Sequence, residues 1–400
     1  MPALECFGMT IINPLLHDTG TPPIPEAKGW LAAYDGRHGP GIDLSQAAPG
    51  SAPPESLLAR AATAAADPSH ARYGAIQGDM ALREAFAAES TRRYGATIAA
   101  QNVAITAGCN QAFVTTVMAL ARAGDAVLLP VPWYFNHQMT LAMLGIEARP
   151  LPTTPEAGFV PDVEAARALL HDGKVRAIVL VSPNNPTGAV YPPATIAAFA
   201  QLCREAGIAL VLDETYRDFM PAGHDRPHSQ FEAADWRTHL IQLYSFSKAY
   251  AVPGWRLGAI VAGETLQGEI GKVLDCIQIC PARAGQSALS WGIGALADWR
   301  ETNRADINSR AGTFRQAMSA LNGWSVDQAG AYFAYVRHPF GGVAAAQVAE
   351  MLAVRWGVLA LPGSYFGPGQ DNHIRLAFAN ADEAGIRQAV ARMALAARSA

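Results

Sequence analysis

A chain of 400 residues, 50% hydrophobic and only 16% charged, is long enough to bury a large core and to divide into two domains. Its net charge of −4, with no basic run longer than Arg92-Arg93, excludes the electrostatic footprint of a nucleic-acid binder, and no apolar run reaches the roughly 18 residues that span a bilayer. The five scattered cysteines, Cys6, Cys109, Cys203, Cys276 and Cys280, make neither a disulfide framework nor a zinc-like spacing with histidines, so no metal is expected.

The first fifty residues are rich in Pro and Gly and too irregular to form a core alone; they are expected to pack on a second domain. The apolar stretch 7–16 lacks a basic flank and follows Glu5, which argues against a targeting segment, and reduced thiols fit a cytoplasmic protein. An alanine-rich helix is expected over 57–66. From about residue 100 to 262, β-rich runs at 102–106, 126–131, 177–182, 208–213, 240–245 and 258–262 alternate with helical stretches at 111–123, 135–144, 161–170 and 193–206. This is the pattern of a mainly parallel sheet covered by helices in three layers, and ligands of such sheets gather beyond the carboxyl ends of the strands. Cys276 and Cys280 sit in an apolar segment and are expected to be buried structural thiols. Beyond 306 the character changes: an amphipathic stretch to 321, a strand at 332–336, a helix at 345–354, strands near Val358 and Ile374, and a final helix to Arg398. The expected organisation is an α/β cofactor domain over 56–300 and a smaller α+β domain over 301–400, with 1–55 packed on the latter.

Chemistry concentrates after the strands. Ser245-Phe246-Ser247-Lys248 ends one run and is followed by Arg256 in Pro253-Gly254-Trp255-Arg256. A lysine among apolar neighbours loses solvation, its pKa falls, and the neutral amine becomes a nucleophile toward an aldehyde; a surface lysine beside a turn is the bland alternative. Only four of the cationic residues are lysines, Lys28, Lys174, Lys248 and Lys272. The run 208–212 ends in Asp213-Glu214-Thr215-Tyr216, and an aspartate at the end of a buried strand needs a cationic partner, several donors, or a helix to cap. Asn185, in Ser182-Pro183-Asn184-Asn185-Pro186, follows another strand, where a plain turn is the competing reading. Thr106-Ala107-Gly108-Cys109-Asn110 joins a strand to a helix, and free amides at a helix N-terminus make a phosphate seat.

Together and in this order, these motifs resemble the class I and II aminotransferases, fold-type I pyridoxal-phosphate enzymes, over nearly the whole chain. The resemblance implies that Lys248 holds pyridoxal 5'-phosphate as a Schiff base and then serves as the base in transamination between an L-amino acid and a 2-oxo acid. It implies that Asp213 pairs with the pyridine nitrogen, that Asn185 and Tyr216 flank the phenolic oxygen, and that Ser245, Ser247 and Arg256 meet the phosphate with Gly108, Cys109 and Asn110. Cys109 is read there mainly as a backbone amide and Asn110 as a side-chain donor. Tyr134, in Pro132-Trp133-Tyr134, matches the aromatic residue stacked on the pyridine, and Tyr73 matches the tyrosine that reaches the neighbouring subunit's phosphate, implying a homodimer with shared sites. Arg375 matches the clamp on the substrate α-carboxylate, with Asn185 and Ala47 beside the substrate. Ala47 stands where the family commonly has glycine, which bears on substrate choice. Arg37 and Arg283 are the candidates for a partner to an acidic side chain, with no motif to support either.

Three other readings compete. A β-lyase, decarboxylase or cyclopropane-carboxylate-type synthase could use the same cofactor set. A sensor that keeps the cofactor domain needs an attached DNA-binding module, for which no residues are left over. A nicotinamide dehydrogenase needs a Gly-x-Gly-x-x-Gly turn after a strand, and none is convincing.

Overall fold

The computed structural model describes residues 12–224 and 226–398, so Cys6 and the first part of the 7–16 stretch lie outside the described residues. Among the described residues, seven strands form one sheet in the order Val103–Thr106, Gly258–Val261, Leu240–Ser245, Ala209–Asp213, Val175–Val181, Ala126–Val131, Glu147–Pro152. The pairings are parallel except for Gly258–Val261, which runs antiparallel to both neighbours. Alternate side chains of the strands feed two separate cores, as a period of two requires. Leu128, Ile178, Leu210 and Leu212 join one, with Phe86 and Phe199 from covering helices. Val127, Val179, Val211 and Leu243 join the other, with Phe113, Leu141 and Leu274. Burial on both faces is why these strands read as continuous apolar runs.

A second unit holds a four-stranded antiparallel sheet in the order Leu361–Pro362, His373–Leu376, Phe333–Arg337, Ser325–Gly330. The helices Ala297–Met318 and Glu383–Arg398 pack together, and their Ile307, Phe314, Ile386 and Met393 share a third core with the sheet's Phe333 and Ile374. The N-terminal residues join this unit in two places. Ile42–Asp43 pairs in parallel with Val358–Leu359, and helix Pro23–Ala32 packs on helix Ala345–Trp356. The short helix Pro14–His17 instead rests against Phe135–Met143 of the large sheet's covering layer.

The elements differ from expectation where local signals are weak. Glu147–Pro152 carries two prolines and alternating exposure; it is a strand because an edge position tolerates residues that cannot donate to a ladder on both sides. Ser325–Gly330 is a second unexpected edge strand, mostly half-buried, with Asp327 paired to Arg337 and His373. The helix expected to start near 306 starts at Ala297 and so runs through residue 300, its first turns too polar to show an apolar stripe. The helix expected at 161–170 shortens to Val163–Ala168, with Asp162 as its cap. Cys276 and Cys280 are exposed and half-buried respectively, because helix Glu264–Ile277 turns its apolar face to the sheet through Ile270 and Leu274 instead. No helix of the described residues is long and apolar enough to cross a membrane.

Candidate active site

A cavity of about 600 Å³ opens beyond the carboxyl ends of the parallel strands, where the second unit meets the sheet. The sheet explains the convergence: Thr106, Val131, Val181, Asp213 and Ser245 all end strands at this edge, and the antiparallel strand starting at Gly258 delivers Arg256 to the same place. Residues far apart in sequence are thereby brought within a few ångströms. Cys109, Asn110, Tyr134, Asn185, Asp213, Tyr216, Ser245, Ser247, Lys248 and Arg256 line the cavity from the large unit, and Ala47 and Arg375 line it from the other side.

Asp213 is buried and caps no helix. Its Oδ1 accepts from the Thr215 amide at 3.0 Å and faces the Cys109 thiol at 3.8 Å, while Oδ2 lies 3.2 Å from His137 Nε2. Burial opposes ionisation, but the hydrogen bonds from His137 and Thr215 outweigh it and hold the carboxyl below its ordinary value. Cys109 therefore does more than present an amide: its side chain turns back to the aspartate, and burial keeps the thiol protonated. Tyr134 forms one wall; its ring meets His137 edge-on at 5.2 Å, and its hydroxyl accepts from Asn136 at 2.9 Å.

At the other end, Gly108 adopts φ +87° as the N-cap of helix Cys109–Leu120, whose first amides lack a side-chain cap. A Cβ at Gly108 would overlap the Arg256 guanidinium, so the two sit in direct contact, although Gly108 itself does not line the cavity. Arg256 reaches this point through a left-handed turn at φ +52° and donates to the Pro253 carbonyl at 3.0 Å. Uncapped helix amides, the Ser245 and Ser247 hydroxyls and one guanidinium make a donor set suited to a dianion.

Lys248 lines the same cavity. Its Nζ donates to the Ala47 carbonyl, and burial, with the Arg256 and Arg375 charges close by, pushes its pKa down to about 8. Arg375 is 2% exposed. Among the described residues no carboxylate bonds it: it donates to Asn185 Oδ1 at 3.1 Å and to the Ser45 carbonyl, and its Nε has no partner. Burial without a bonded carboxylate pulls its pKa down to about 10. Residues 43–48 are held over the cavity by Asn380, which accepts from the Ala48 amide at 3.1 Å and donates to the Asp43 carbonyl at 3.2 Å. Tyr216 is buried against Phe333 at 5.0 Å, and burial raises its hydroxyl well above the ordinary range.

Tyr73 is the one site residue set apart: it is 80% exposed and does not reach the cavity of its own chain. Conversely, His137, Thr215, Gln46 and the Pro22-Pro23-Ile24 segment belong to the site without being expected from the sequence. His137 has a signal, since it follows Tyr134 by three residues, a spacing that shares one helix face. Pro22 to Ile24 have none.

These features fit pyridoxal phosphate. There is a dianion seat at a helix N-terminus, a half-buried lysine of lowered pKa, a buried ionised aspartate, and an arginine whose Nε awaits an acceptor.

Comparison with known proteins agrees. The family model described as aminotransferase class I and II matches residues 40–393. An aromatic aminotransferase, ISS1, of Arabidopsis thaliana is 30% identical over 85% of this chain and 86% of its own length. A valine–pyruvate aminotransferase of Mycobacterium tuberculosis is 33% identical over 67% and 68%. Among solved structures, an aspartate aminotransferase of Thermus thermophilus with maleate superposes with a TM-score of 0.88 at 26% identity, covering 97% of this chain and 100% of that one. Substrate-bound BacF of Bacillus subtilis superposes with a TM-score of 0.87 at 26% identity, over 97% and 98%. The chain belongs to the class I and II aminotransferase family and is a pyridoxal-phosphate-dependent aminotransferase.

Proposed function

We propose that Lys248 carries both the cofactor attachment and the proton transfers of this aminotransferase, and that Asp213, Asn185, Tyr216 and Arg375 hold cofactor and substrate around it. The observation that carries this reading is Lys248 itself: a half-buried amine, lowered to about 8 by desolvation and by the Arg256 and Arg375 charges, lining one cavity with an ionised Asp213 and with Arg375. At that pKa a useful fraction is neutral near physiological pH, so the amine can bond an aldehyde and, once displaced, accept a proton.

When bound, pyridoxal phosphate supplies an aldehyde that bonds amines and a ring that takes up electrons released at the substrate α-carbon. In this reading Asp213 keeps the ring nitrogen protonated, and His137 and Thr215 keep Asp213 ionised. Asn185 and Tyr216 meet the phenolic oxygen, and Tyr134 forms the wall against the ring. Gly108, Cys109, Asn110, Ser245, Ser247 and Arg256 seat the phosphate. Arg375 would take the α-carboxylate with its fork of donors and so fix the α-hydrogen toward Lys248 Nζ, which would accept that proton and deliver it, across the amino nitrogen, to the carbon that the cofactor's aldehyde contributes.

The active unit in this reading is a cytoplasmic homodimer. It is supported by the exposure of Tyr73 with its neighbours Ile76 and Met80, an apolar surface suited to a second copy. Sedimentation at twice the chain mass of 42.3 kDa is expected, and a monomer would remove it.

The attachment is tested by reducing the holoenzyme with borohydride and mapping the labelled peptide. A label on Lys248 is expected; one on Lys28, Lys174 or Lys272, or none, overturns the assignment.

A further inference from the structure

We infer that the enzyme acts on amino acids and 2-oxo acids whose side chains carry no negative charge, and that the wall made by Pro22, Pro23 and Ile24 meets that side chain. The inference rests on the roles proposed above for Lys248, Arg256 and Arg375.

Among the described residues, those three are the cations that line the cavity. Each is already engaged: Arg256 by the phosphate, Arg375 by the α-carboxylate and Lys248 by the aldehyde. Residues 1–11, 225 and 399–400, which lie outside the described residues, contain no lysine, arginine or histidine.

The nearest alternatives are committed elsewhere. Arg37 pairs with Asp35 at 2.5 Å on the surface, and its side chain is 64% exposed. Arg283 pairs with Asp79 at 3.0 Å and donates to the Ser69 carbonyl at 2.7 Å. Arg283 also packs beside Gly74, next to Tyr73. A second copy that presents Tyr73 would bring Arg283 as an ion pair, and the exposed Arg72 beside Tyr73 would arrive with that tyrosine at the phosphate. Lys28 does not line the cavity; it is exposed and donates to Gln46 Oε1 at 3.3 Å, where water screens its charge.

What remains for a side chain is uncharged. Pro22, Pro23 and Ile24 offer apolar surface, and Gln46 and Asn136 offer amides, of which Asn136 already donates to Tyr134. A carboxylate entering this space would lose its hydration without gaining a counter-charge, whereas an aliphatic or aromatic group would lose only its contact with water.

The test mixes holoenzyme separately with leucine, methionine, phenylalanine, aspartate and glutamate and follows the cofactor absorbance in the absence of an acceptor. The neutral amino acids are expected to react with a kcat/KM at least about 100-fold above that of the two acids. Aspartate or glutamate reacting as fast as the best neutral amino acid overturns the inference while leaving the function intact; silence from all five overturns both. Equilibrium binding of 4-methylvalerate and succinate to the holoenzyme gives a second readout without turnover, and tighter succinate binding overturns the inference. Ile24→Arg is expected to raise the acid-to-neutral rate ratio about tenfold or more, and an unchanged ratio removes the assignment of that wall. Lys28→Ala is expected to leave the ratio as it was; a selective loss of the acids would assign them to Lys28 and overturn the inference.

Discussion

His137 Nε2 lies 3.2 Å from Asp213 Oδ2, with both side chains buried and the imidazole stacked on Phe113 at 4.0 Å. Phe113 comes from helix Cys109–Leu120 and His137 from helix Phe135–Met143, so two helices of the covering layer jointly orient the carboxylate that ends a third element, the strand Ala209–Asp213. The histidine thereby acts on the cofactor through the aspartate, as a positioning residue. Replacing it with phenylalanine keeps the stack and removes one hydrogen bond to a buried charge, a loss of about 1.5 to 3 kcal/mol. Cofactor affinity measured by equilibrium dialysis should fall about tenfold to a hundredfold; undiminished affinity would contradict the role.

The lysine supplies a pH dependence whose sign is determined by its direction of shift. Its pKa in the folded chain is lowered from 10.5 to about 8, so the neutral amine gains population as pH rises through about 8. The rate at which apoenzyme captures pyridoxal phosphate should therefore climb between about pH 7 and 9 and then level. A midpoint near 10.5, the ordinary lysine value, would mean that burial does not tune this amine.

Gly108 and Arg256 offer a test of the phosphate seat. Alanine at 108 would put a methyl group into the guanidinium and hold φ near +87°, a conformation that side chains resist at about 1–3 kcal/mol. The expected result is a folded protein of lower thermal stability that releases cofactor on dialysis at least about tenfold more readily, because Arg256 must move. Retention equal to the parent would place the phosphate elsewhere.

Arg375→Lys keeps one charge but loses the planar fork and the contact with Asn185 Oδ1. The cofactor absorbance should persist while kcat/KM for every amino acid falls about 100-fold, since two parallel hydrogen bonds to the α-carboxylate become one at best. Loss of the cofactor spectrum, or an unaltered kcat/KM, would each contradict the assignment to the substrate.

Much of the large unit is legible in the chain because its strands are covered on both faces. Runs such as 126–131 and 209–212 are then apolar throughout, and the helix Pro193–Ala206 announces itself with a proline start and a glycine at φ +65° after its end. The edge strands Glu147–Pro152 and Ser325–Gly330 escape such a reading because an element paired on one side needs neither continuous hydrophobicity nor a full row of donors. Cys109 departs from expectation for a related reason: its amide position follows from the strand-glycine-helix sequence, but the direction of its thiol depends on where Asp213 arrives from another strand.

Local order along the chain was enough to determine which residues end strands, which glycine opens a helix, and which lysine lies among apolar neighbours, since each of these depends on a few adjacent side chains. Only the tertiary structure decided that His137 backs Asp213, that Arg375 bonds no carboxylate among the described residues, and that Pro22 to Ile24 line the cavity. Those relations join residues that are distant in sequence, and they exist only once the sheet has aligned its strand ends and the second unit has folded over them.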